Sequence, residues 1–501
     1  MQCLKSVQLL LEMEITMAIT AYSSSVNSKN HRSCGGVRYR MAAAAIIATA
    51  LAAVLGSPAV PAANVTWLNS NTDMNATSAW SAAPTANSGI FYGASTGTNP
   101  VLSADLTMSS LKFNDTTSSG WTVSGPYTLA LTSGSTGSNT GAIISSNTTG
   151  GTNVISANIF LNSPTGTTTY QVASGANLVL SGNISGGTLS HVGSNTYAGA
   201  LTLSGSNSFS SFMHNNNGTL NLNSAYALGT GGLNVGVGAF LLDNTSGSAV
   251  TLQNNNVQAA VTTFTFVGTN NLSFGSGTFA AAANSTLAVA GSTLTIGSLD
   301  AAATTYTWTK SGAGTLAITG AAGSNFQAGF TLSAGTLQVG NNTALGSGAV
   351  VLGAAGTLQA INNDVTLANN FTWSSGATFS GLQSLTLNGN GSIGISAKNL
   401  YNNIAAGKTL TFGGNFDVNS SGAGTAVALT LAGSGNTTFT AGTILQTATA
   451  AQAITVTNTG TTRFQGVVAT GGLFSQTGAG TVVLSGTMNG PSGYTINNAS
   501  A

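Results

Sequence analysis

Past residue 64 the chain carries seven aspartates, Asp73, Asp105, Asp115, Asp243, Asp300, Asp364 and Asp417, and two histidines, His191 and His214. Groups of this kind do general acid–base work. Two carboxylates ~5–9.5 Å apart would suffice to hydrolyse a glycosidic bond. The last four aspartates are separated by 57, 64 and 53 residues. In a stacked fold of ~20–25 residues per turn, with ~4.8 Å between turns, each gap spans ~10–15 Å even along one face. Each Asp therefore reads as a lone turn residue. His214 opens His-Asn-Asn-Asn-Gly218, a polar turn, and is expected to be solvated. No Gly-x-Ser-x-Gly elbow in a strand-to-helix setting accompanies the many serines. No clustered ligands suggest a metal. The reading is a non-enzyme without cofactor.

The elements that would position any such groups form a repeated phrase. Leu201-Thr-Leu-Ser-Gly205, Gly218-Thr-Leu220 and Ala227-Leu-Gly-Thr-Gly231 recur as Leu316-Ala-Ile-Thr-Gly320, Gly335-Thr-Leu337 and Ala344-Leu345-Gly346-Ser-Gly348. Leu316 follows Leu201 by 115 residues, and the other two elements follow theirs by 117. Ordered self-similarity of short β-like phrases signals a stacked solenoid. Strand phrases such as Asn177-Leu-Val-Leu-Ser-Gly182 and Thr481-Val-Val-Leu-Ser-Gly486 alternate apolar and polar residues between Gly/Asn/Ser turns. The fold expected is all-β, a parallel β-helix.

Composition agrees. Charged residues are 4% of the 501, against roughly 25% in ordinary domains. Hydrophobic residues are 42%, which excludes the disordered class. Like charges facing each other on adjacent turns are destabilising, whereas Thr, Asn and small apolar residues stack freely, and Asn can form amide ladders. From Asn64 onward seven Asp stand against four Lys and one Arg. With no basic stripe, nucleic-acid binding is excluded. Both cysteines, Cys3 and Cys34, lie near the start, so the body has neither disulfide frame nor zinc site.

The first 62 residues read as a leader. Met41 to Leu55 is an apolar run of fifteen residues preceded by Lys29, Arg32, Arg38 and Arg40. It is short for a membrane span, which needs ~20 residues. Val60 and Ala62 fit the −3 and −1 places of a secretory signal, which predicts cleavage after Ala62. The first sixteen residues look like an over-extended gene start ahead of Met17. No later stretch is apolar and long enough to span a bilayer as a helix. Residues 63–150 hold Trp67, Trp80 and Trp121 and are expected to form an N-terminal β cap; a sugar-binding platform is the alternative. Residues 151–501 form the repeat region.

The phrase Lys310-Ser-Gly312-Ala-Gly314-Thr-Leu316-Ala-Ile-Thr-Gly320, continued by Gly335-Thr-Leu337 and Ala344-Leu345-Gly346, resembles the autotransporter-associated β-strand repeat, or passenger-associated transport repeat. A second start reads Gln476-Thr-Gly478-Ala-Gly480-Thr-Val-Val-Leu-Ser-Gly486. The resemblance implies a right-handed parallel β-helical passenger, exported to the cell surface, outer membrane or medium of a Gram-negative-type bacterium. Its repeats would assist passenger folding and transport, and its role would be structural or adhesive. Surface glycans or other cell-surface proteins are the implied partners. A carbohydrate-binding β-helix using Trp308 and Trp373 is the alternative, and a polysaccharide-degrading enzyme a more distant one. The chain stops at Ala501 inside a repeat, with neither barrel nor sorting tail, and is expected to be truncated.

Overall fold

A computed structural model describes residues 64–496, with breaks at 93–98, 115–119, 133–141, 146–150, 192–196, 215–216, 236–238, 374–375, 394–397, 419–427, 441–443, 446–450 and 491. The expected leader and its Ala62 cleavage site lie outside the described residues. Residues from Ala62 onward form one compact unit. It is a parallel β-helix of about 17 turns. The only helical element among the described residues is the 3-10 turn Thr77–Ala79.

One turn shows the plan. Thr293–Ile296 runs along one face, Ser298–Ala301 along a second and Trp308–Ser311 along a third. Thr315–Ile318 then returns to the first face, where Thr315 lies opposite Thr293 and Leu316 opposite Leu294. The turns pair in this parallel manner from Asn64–Thr66, opposite Ser88–Tyr92, to Gly493–Ile496, opposite Leu473–Gln476.

Period-two alternation sets what fills the interior. In Thr293–Ile296 the leucine and isoleucine point inward and the threonines outward. Inward residues then stack turn upon turn: Leu294, Leu316, Leu337 and Leu358 form one rank, all buried. Each such leucine contributes roughly 2 kcal/mol by leaving water. Phenylalanines stack in the same way. Phe412, Phe439 and Phe464 lie with ring centroids 5.0 and 5.1 Å apart and planes 13° and 1° apart, close to the strand spacing of ~4.8 Å.

The aromatic residues of the N-terminal segment pack together. Trp67 and Trp80 are joined by an antiparallel bridge, and their rings meet edge to face at 5.1 Å. The Trp80 indole N–H donates to the Met74 carbonyl at 2.9 Å, and Phe91 packs against both indoles and against Trp121. All three tryptophans are buried. The segment is continuous with the ladders beyond it, since Ser110–Asn114 pairs with Ile143–Ser145, which pairs with Thr167–Val172.

Asparagines hold the corners. The N–H of Asn390 donates to Asn370 Oδ1 at 2.9 Å, and that of Asn415 to Asn390 Oδ1 at 3.0 Å. Asn158 accepts likewise from Asn183, and Asn183 from Ser206. Each side chain thus satisfies a backbone donor of the next turn where the ladder is interrupted. This differs from the expected stacked amides. A true amide ladder occurs where Gln338 Nε2 donates to Gln359 Oε1 at 3.0 Å and Gln359 Nε2 to Ser380 Oγ at 2.8 Å.

Close approach between turns makes a specific demand at Gly346. Its φ is +66°, and a Cβ there would collide with the Phe326 carbonyl of the turn below. Gly166 has a similar φ of +72° with open space around it. Gly346→Ala should therefore lower stability by more than the ~1–3 kcal/mol of left-handed strain alone, and Gly166→Ala by no more than that strain. Urea midpoints of the two variants measure the difference.

Candidate functional site

The repeat motif residues cluster at corners. Leu316, Leu337 and Leu345 are buried in the core. Gly312, Gly314, Gly320, Gly478, Gly480 and Gly486 each lie against a backbone carbonyl of the preceding turn. The two copies of the phrase have the same local geometry. Leu201 lies opposite Leu220 on successive turns, as Leu316 does opposite Leu337. Gly229 and Gly346 have φ of +60° and +66°, against the carbonyls of Phe209 and Phe326.

Yet the copies occupy different faces. The ladder through Leu220 continues to Leu242, Phe266 and Val289. Beside Val289 in the same strand, Leu287 leads to Lys310 and Leu332. It therefore passes through the Phe330 strand phrase and not through Leu337, which belongs to the Leu294–Leu316–Leu358 rank. The phrase specifies a kind of corner, not a particular face.

Lys310 takes an inward position and is inaccessible to solvent. Its Nζ donates to the carbonyls of Ser311 at 2.8 Å, Gly312 at 2.7 Å and Ala334 at 3.0 Å. Burial lowers its pKa to about 8, so at neutral pH it remains mostly an ammonium whose three donors are matched. A Cβ at Gly335, whose φ is +72°, would stand 2.7 Å from this Nζ. Gln476 begins the other strong copy and donates from Nε2 to the Gly480 carbonyl. The residue two before the first motif glycine thus ties the corner from inside.

The histidines overturn one expectation. His214 is not solvated; it is 2% exposed. The strand Ser211–His214 alternates so that Phe212 and His214 both face the core, and the polar turn starts only after it. Its Nδ1 lies 2.9 Å from Tyr170 Oη. His191 stacks on it at 4.5 Å with planes 9° apart, and Tyr170 and Phe240 flank the pair at 5.0 and 4.7 Å. Burial raises the Tyr170 pKa. It lowers that of His191 to about 4, only partly offset by a backbone hydrogen bond with Tyr197. The face-to-face stack of the two imidazoles packs as an aromatic rank does.

The carboxylates bond mainly to backbone N–H and hydroxyl donors; Asp73 accepts from the Asn75 N–H at 2.9 Å and the Ser103 hydroxyl at 2.7 Å. Asp243 is buried and accepts from the Thr269 N–H at 2.9 Å and the Thr269 hydroxyl at 2.6 Å. Asp300 accepts from the N–H groups of Ala301 and Asn325. Asp364 pairs with Lys408 at 2.8 Å on the surface, which holds its pKa below the usual value. Asp417 lies opposite Ser392. Asp105 accepts from the Thr128 N–H, and Asp115 lies outside the described residues. Among the described residues no group of three or more His, Cys, Asp or Glu could hold a metal. Trp308 and Trp373 are buried, 0% and 3% exposed.

Comparison with protein-family models, curated proteins and solved structures gave no match. The geometry alone therefore carries the reading. No helix among the described residues is long and apolar enough to cross a membrane.

Two measurements follow from the buried polar groups. Lys310→Met leaves three carbonyls without their donor and should cost about 1–3 kcal/mol, while Lys310→Gln, which supplies the group found at Gln476, should recover part of it. For His191 the folded pKa lies below the unfolded value of 6.5. Between these values the unfolded chain binds the proton, so stability falls as pH drops from 6.5 toward 4 and is fully present above 6.5. His191→Phe should flatten this part of the urea-midpoint profile relative to the wild type.

Proposed function

We propose that the chain is an exported, passenger-type β-helical protein with a structural or adhesive role at the bacterial surface, and that its repeats assist folding during transport. The observation that supports this reading best is the parallel β-helix itself, built from recurring corner phrases with few charges at its outward positions. Such a scaffold propagates from turn to turn through nearest-neighbour contacts. A chain emerging through a membrane can therefore add each turn to those already paired. The reading includes no catalytic step. Surface glycans and other cell-surface proteins are its partner classes. The buried Trp308 and Trp373 offer no support to the carbohydrate-binding alternative.

The test is export from a Gram-negative host with the native leader in place. The expected result is a processed protein beginning at Ala63 and accessible to protease outside the inner membrane. Retention in the cytoplasm with the leader uncut would sink the reading.

A further inference from the structure

The face that carries Trp308–Ser311 presents a long, uncharged outward surface; the neighbouring face also has a threonine rank, Thr293, Thr315, Thr336, Thr357 and Thr378, but the long Gln338 and Gln359 stand beside it. Its central rank is Thr263, Thr286, Thr309, Thr331, Val351 and Thr372, each directly opposite the next on consecutive turns. From Thr263 onward this stretch has no register shift. Two residues further along the strands runs a second rank, Thr265, Ala288 and Ser311. Neither rank contains a charge or a long side chain.

Three physical properties follow. The ladder fixes the groups ~4.8 Å apart along the coil, and the pleat places the two ranks ~7 Å apart. β-Branched side chains have restricted χ1, so the methyls and hydroxyls are held in place before anything binds. Val351 differs from its threonine neighbours by a methyl for a hydroxyl and keeps the same shape. Among the described residues no protein partner is found for the hydroxyls of Thr286, Thr309 and Thr331, which leaves each as both donor and acceptor toward solvent. Beneath them Phe264, Leu287, Lys310, Leu332 and Leu352 are buried and support the face.

A rigid, uncharged, periodic array of hydroxyls and methyls matches a partner that is itself rigid, uncharged and periodic. Methyl groups order the water over them, and regularly spaced hydroxyls hydrogen-bond it in place. We propose that this face binds the surface of ice. A second copy of the chain is a poorer fit: a rank of six residues beside a rank of three offers roughly 300 Å², against ~800 Å² per partner in a stable interface. A polysaccharide is also poorer, because the aromatic faces that would stack on sugar rings are inside the core. The inference does not rest on export, since the face is complete in the folded chain.

The test measures inhibition of ice recrystallisation, and incorporation into slowly growing ice, by the full chain. The wild type should inhibit at concentrations where serum albumin does not. Thr309→Lys places a charge in the array, and Thr331→Tyr breaks its flatness with a strand-compatible residue. Each should raise the concentration required by roughly tenfold or more, with the far-UV β spectrum unchanged. Thr107→Lys, on a face whose outward rank is Thr107, Ala130, Phe160 and Ser185, should leave the effect intact. Three results would overturn the proposal. One is wild-type behaviour equal to that of albumin. Another is full activity in folded Thr309→Lys. The third is a Thr309→Lys-sensitive retention on cellulose or chitin, or a Thr309→Lys-sensitive dimer, without any effect on ice.

Discussion

Each turn of the coil must come back ~4.8 Å above the last, with its strands in register on every face. That parallel inter-turn pairing decides what can stand at nearly every position. Inward residues must fit on top of residues like themselves, which is why Leu294, Leu316, Leu337 and Leu358 form a rank and why Phe412, Phe439 and Phe464 stack almost flat. Outward residues must tolerate a like neighbour at the same distance, which removes charge. The exposed pair of Asp364 and Lys408 joins opposite signs across two turns, past Ser384.

Corners are where the pairing lapses, and two devices serve them. Asparagine side chains such as Asn370 and Asn390 accept the N–H groups that the next turn leaves open. Inside, Lys310 and Gln476 donate to corner carbonyls. The Lys310 ammonium is tolerated in the core because each of its three donors meets a carbonyl already in place.

The architecture was legible in the sequence because period-two alternation and ordered repeats act locally and along the chain. The aromatic cluster was legible too, in that Trp67, Trp80 and Trp121 stood together in a chain with few tryptophans. What was not legible depends on how far a strand runs. His214 reads as part of the turn that follows it, and only the pairing of Ser211–His214 with Thr188–His191 and Leu233–Val235 shows that it closes the strand on an inward step. The stacking of His191 on His214 joins two turns, so nothing nearby in sequence announces it. The corner role of asparagine was hidden for the same reason, since its acceptor meets a donor one turn away.

The placement of one phrase on two faces has a genetic consequence. A duplicated segment that had to keep its face would be viable only at a whole number of turns. Here an insertion that ends a third of the way round the coil still lands each corner against a corner and each leucine over a leucine. Unequal recombination within such a gene is free of that phase requirement. Chains of many lengths lie within reach of a single crossover, and the length of the coil drifts independently of its pitch.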